Sequence, residues 1–93
     1  MTKRELFNAK NNGRALEEGL QLTVAECETY QDGDKTVGVL KAEDGTMYTT
    51  ISQTVIDSFD DLGDIIEEDG PVDMTVECGV SNSGRKYYQL HIN

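Results

Sequence analysis

Cysteine, histidine and paired carboxylates are where metal, thiol or acid–base chemistry would start, and here none of them is arranged for it. Fifty residues separate Cys27 from Cys78, and the lone His91 has no second ligand beside it. A structural zinc site takes four ligands in close pairs, with about two to four residues between partners. Both cysteines read instead as small buried apolar residues, and His91 as a solvated imidazole. Glu17-Glu18, Asp60-Asp61 and Glu67-Glu68 are sequence neighbours on predicted surfaces, not groups converging on a pocket. The glycines spell neither a phosphate loop nor a dinucleotide turn, and no serine sits in a nucleophile elbow. The expectation is a protein without catalysis, metal or cofactor.

What remains is a set of aromatic and cationic side chains: Tyr30, Tyr48 and Tyr87 with Lys35, Lys41, Arg85 and Lys86. Aromatic faces stack bases and cations neutralise phosphates, which is the chemistry of a single-stranded nucleic-acid site. Tyrosine is also a good strand former, and outward Lys or Arg keeps sheet edges soluble. The elements that carry these residues must therefore decide between the two uses.

Thr2-Lys3-Arg4-Glu5 fits a capping box, opening a short helix with Leu6, Phe7 and Ala9 as its apolar contacts and an end near Asn11-Asn12-Gly13. Leu16 through Tyr30 reads as a first strand, Leu20, Leu22 and Val24 alternating with polar residues until the phase breaks before Cys27, as a bulge would make it. Asp32-Gly33 turns into a second strand, Lys35–Lys41, and Asp44-Gly45 predicts a type I′ hairpin into a third, Thr46–Ile51. Ser52 reads as an N-cap for a helix with Val55, Phe59 and Leu62 on one side, ended or kinked at Gly63. Val72, Met74, Val76, Cys78 and Val80 alternate in a fourth strand, and Asn82-Ser83-Gly84 turns into a last one bearing Tyr88, Leu90 and Ile92. Five strands with a helix between the third and fourth is the order of the OB-fold, a small partly open barrel. The fold class is thus mainly β: one domain over 1–93, with an amino-terminal helix over 1–14 and an OB-like barrel over 16–93. A five-stranded α+β sheet is the competing architecture. In an OB-fold the site lies over strands 2 and 3 between the loops joining strands 1–2 and 4–5. That would gather Tyr48, outward on strand 3, with Tyr30, Lys35, Lys41, Arg85, Lys86 and Tyr87.

Of the 93 residues 18 are acidic and 8 basic, a formal charge of −10. Residues 1–14 hold Lys3, Arg4, Lys10 and Arg14 against Glu5, a balance of +3, so the rest of the chain carries −13. The densest acidic stretch is Asp57, Asp60, Asp61, Asp64, Glu67, Glu68 and Asp69, which solvates a helix face or docks a basic partner. The net field repels free nucleic acid at long range. No run approaches the ~18–20 apolar residues of a membrane span, and Thr2-Lys3-Arg4 leads into no signal-peptide core. Two cysteines do not staple a secreted scaffold, so a cytoplasmic protein, that of the host cell if phage-encoded, is expected.

The segments Asp44-Gly45-Thr46-Met47-Tyr48-Thr49-Thr50-Ile51-Ser52 and Ser81-Asn82-Ser83-Gly84-Arg85-Lys86-Tyr87-Tyr88-Gln89-Leu90 resemble small OB-fold single-stranded-DNA-binding-type proteins of phages and mobile elements of Gram-positive bacteria. The resemblance covers roughly residues 20–92. It implies single-stranded DNA as the partner, with bases on Tyr48, Tyr87 and Tyr30 and phosphates near Lys35, Lys41, Arg85 and Lys86. It departs from the pattern in its few cations and in ending directly after the last strand. The composition keeps an alternative open: an acidic DNA mimic whose Asp57–Asp69 surface blocks a basic groove on a host nucleic-acid enzyme such as a defence nuclease. Homo-oligomerisation through exposed strand edges is a third possibility.

Overall fold

The computed structural model describes residues 1–93. Helix α1 (Lys3–Asn12) leads into strands β1 (Arg14–Ala15), β2 (Gln21–Asp32), β3 (Lys35–Ala42) and β4 (Met47–Thr50). Helices α2 (Gln53–Asp57) and α3 (Phe59–Asp69) follow, then β5 (Val72–Val80) and β6 (Lys86–Ile92). They form one sheet in the order β1-β4-β3-β2-β5-β6. β2 is long enough to serve two partners. Its first residues pair with β5 and the rest with β3, and the register shifts between Val24 and Glu26. The extra residue, Ala25, is the bulge expected from the broken alternation, and it bends the sheet into a half-barrel.

The strand count is six, not five. Gly13 caps α1 by donating to the Ala9 carbonyl, and the chain leaves it extended. Arg14 and Ala15 therefore fall parallel to Tyr48 and Thr49. This two-residue strand takes the free edge of β4, so β4 and β6 do not pair and the barrel stays open. At that seam the Ser52 hydroxyl donates to the Tyr88 carbonyl at 3.5 Å, and it makes no cap bond to α2. The first strand starts at Gln21 rather than Leu16, because Glu17–Leu20 is a turn with Gly19 at φ 85°.

The single helix expected after Ser52 is two. The Ser58 hydroxyl bonds the Val55 carbonyl at 2.6 Å at the break, and Gly63 lies inside α3 instead of ending it. A mid-helix glycine costs about 1 kcal/mol. Burial of Phe59 and Leu62 outweighs that cost and fixes the helix. With Val55 they plug the barrel against Val24, Leu40 and Val76, none of which retains solvent exposure. Gly38 makes this fit possible, since a Cβ there would stand 3.0 Å from the Phe59 ring.

The β3–β4 turn differs from the type I′ expectation. No residue other than glycine has positive φ, so Asp44 cannot take the first place of such a turn. Gly45 at φ 93° closes a three-residue loop, bonding the Ala42 carbonyl while the Ala42 amide reaches Thr46. The β5–β6 hairpin repeats this arrangement with Gly84 at φ 81° between Ser81 and Arg85.

Candidate nucleic-acid interface

Alternation along the strands sorts the site residues between two faces. Leu40 is in the core and pairs with Tyr48, so the Tyr48 ring turns inward and packs on the core rather than outward. The outward reading followed the Met47/Thr49/Ile51 alternation and took the wrong set as buried. Tyr48 lines a cleft of about 580 Å³, together with Leu22, Ala42 and Met74. Glu43, Asp44 and Asp73 rim it without a single Lys or Arg. Hydrogen bonds from Thr46 hold the Asp44 carboxyl below its ordinary pKa. A phosphate chain finds no counter-charge in this cleft.

The opposite face of β3 bears Val37, Val39 and Lys41, and α1 packs beside it against β4. Ala9 is the buried residue of α1, and Gly13 brings the helix end so close that a Cβ would stand 2.6 Å from the Thr49 methyl of β4. Lys41 is ion-paired to Glu5 of α1 and, at 3.4 Å, to Glu26 of β2. The hydrogen bond from Lys41 lowers the Glu5 pKa, and reciprocally Glu5 raises that of Lys41. The Met1 amino group lies 3.0 Å from Glu28, whose hydrogen bond raises its pKa. Lys41, a candidate phosphate contact in the sequence, is thus engaged in tethering α1.

The other candidates occupy the two long hairpins. Tyr30 pairs with Val37 near the β2–β3 turn, and Lys35 stands exposed at its base opposite Asp32. Burial, and then the Asp32 charge, raise the Tyr30 hydroxyl pKa, so it stays protonated. Arg85 and Lys86 are exposed at the β5–β6 turn. Next to them, Tyr87 lies over Gly79 of the neighbouring strand, where a Cβ would stand 2.5 Å from its Cζ. The inner side of this ring is seated on backbone. From the β2–β5 pairing the two hairpins run out in opposite directions, so Tyr30 with Lys35 and Tyr87 with Arg85 and Lys86 form two groups rather than one cluster.

A family model described as phage single-stranded DNA-binding protein matches residues 3–93. The chain belongs to this family. No curated protein and no solved structure gives a significant match.

The acids Asp57, Asp60, Asp61, Asp64, Glu67 and Glu68 are all exposed on α2 and α3, whose buried side chains enter the barrel interior. The cationic helix α1 packs beside β4 and is tied to β3 through Glu5 and Lys41. No helix is long and apolar enough to cross a membrane. Cys27 turns inward, where burial raises its pKa and its thiol lies 3.6 Å from the Phe59 carbonyl. His91 is outside, 3.5 Å from Glu77. The sequence reading missed two positions. Gly79 was passed over in the fourth strand, although a strand glycine signals close approach by another group. Phe7 was expected to pack on the barrel and is 67% exposed. Helical phase sets it nearly opposite the buried Ala9, a signal legible in the spacing.

Proposed function

We propose that this protein binds single-stranded DNA along its two hairpins, stacking bases on Tyr87 and Tyr30 and seating phosphates near Lys35, Arg85 and Lys86. Membership of the phage single-stranded DNA-binding family carries the reading. The charge pattern supports it. Of the eight Lys and Arg side chains only Lys41 has a carboxylate partner, although the chain holds 18 acids. Unpaired cations keep their charge available to a phosphate. Near physiological salt the screening length is about 8–10 Å, so a phosphate in contact with these cations feels them more strongly than acids more than that length away. Tyr48 supports the cleft floor in this reading, and Lys41 holds α1.

The test is a salt titration of a ~20-mer oligo-dT with wild type and the Arg85→Gln/Lys86→Gln variant. Each lost phosphate contact on a single strand removes about 0.7 from the slope of log affinity against log salt. The variant should therefore lose about 1.4 in slope. Equal slopes for the two proteins contradict the phosphate contacts, and a silent wild type contradicts the function itself.

A further inference from the structure

The exposed side of α1 combines features that the hairpins do not use. Phe7 is 67% exposed, more than any other large hydrophobic side chain. At about 100° per residue it sits roughly 160° around the helix from Ala9, the buried anchor. Lys3, Arg4 and Lys10 all lie within about 60° of it, flanking the ring on both sides. All three are exposed, and none has a carboxylate partner. The only acid of α1, Glu5, is turned onto Lys41. Arg14, also exposed, continues the cationic stripe beyond the helix end in a groove lined by Asn8, Asn12 and Thr46. In a chain of net charge −10, this is a cluster of cations without carboxylate partners around an aromatic ring, with Asp44 near only its Arg14 end.

We infer that the outer face of α1 is a further single-stranded DNA contact, in which Phe7 stacks one base and Lys3, Arg4 and Lys10 hold the phosphates on either side. The inference rests on the DNA-binding reading above and extends the path from the hairpins to the helix. Charge complementarity selects this occupant. A symmetric contact between two copies would bring the same cations against each other, whereas a polyanion neutralises them.

The test uses Phe7→Trp, because the chain has no tryptophan and the new indole is then the sole emitter of its kind. Saturating unlabelled oligo-dT should quench its fluorescence, with affinity equal to or tighter than wild type. Phe7→Ala should raise Kd about 5- to 150-fold, the range of one lost base stack. Lys3→Gln/Arg4→Gln/Lys10→Gln should lower the salt slope by about 2. Circular dichroism melts control for folding, which replacement of so exposed a ring should leave intact. If wild type binds while Phe7→Trp emission stays constant and Phe7→Ala binds equally well, the inference fails and the hairpin reading stands. If Phe7→Ala changes only the sedimentation coefficient, the surface is a self-contact and the inference fails. If wild type does not bind, both fall.

Discussion

Replacing Gly79 by Ala tests whether the position of the Tyr87 ring matters to binding. The new Cβ would stand 2.5 Å from Tyr87 Cζ and 2.6 Å from its hydroxyl oxygen, well inside van der Waals contact. The ring must move by about 1 Å or more to restore ordinary ~3.5–4.0 Å separations. Tyr87 is half-buried at the end of a surface hairpin, so the ring has somewhere to go. The cost in fold stability is small, because reduced freedom of the unfolded chain contributes about 0.4–1 kcal/mol in the opposite direction. Binding should respond differently. Loss of the whole ring in Tyr87→Ala removes one stack, about 1–3 kcal/mol, and Gly79→Ala should lose part of that by displacing the ring. The two losses share one cause, so the double variant should bind like Tyr87→Ala alone. Anisotropy of labelled oligo-dT gives the four dissociation constants, and urea unfolding gives the four stabilities. Additive losses, or Gly79→Ala binding like wild type, would refute the argument that Gly79 seats a stacking ring.

Leu40→Ala empties the barrel centre, where Leu40 has no exposed surface, and should cost about 2–5 kcal/mol in urea unfolding. An unchanged midpoint would show that the core is not where the packing places it. The Glu5 carboxyl has a lowered pKa, so its contribution to α1 docking is present above its unfolded value of ~4.3 and is lost as pH falls through the folded one. The Met1 amino group is shifted the other way: its contribution is full below about pH 8 and is lost as pH rises through its folded value. Protection factors of the α1 amides, with the intrinsic pH dependence of exchange divided out, should therefore fall below about pH 4 and again in alkali, and a flat profile would contradict both tethers. Asp60→Asn/Asp61→Asn/Asp64→Asn reduces acid on the helix away from the cations and should leave oligo-dT affinity equal or raise it severalfold. A fall in affinity would place α3 in the interface.

The elements legible in the sequence were those in which local signals and burial agree. Val72 to Cys78 alternate because one side enters the core, and the Val24–Cys27 phase break marks the bulge that bends β2. Val55, Phe59 and Leu62 announced the barrel plug even though two helices share it. Long-range partnerships were not legible. Nothing in Arg14-Ala15 alone predicts a parallel partner in Tyr48-Thr49, because that pairing is made by the exit direction at Gly13. In β4 all four residues are half-buried, so alternation could not say which side was inside, and Tyr48 was assigned to the wrong one. The candidate site divided for the same reason. Tyr30 and Tyr87 were read as one cluster, but only sheet order shows that their hairpins diverge, and only the fold shows Lys41 committed to Glu5 and Glu26.

The central claim is that an acidic phage protein binds single-stranded DNA through locally unpaired cations and outward rings. Its most direct test is fluorescence anisotropy of labelled oligo-dT and of a duplex of equal length against the wild-type protein, at low and then moderate salt. The account predicts micromolar or tighter binding of the single strand, weakened by salt and preferred over the duplex. Silence toward the single strand at low salt would contradict it.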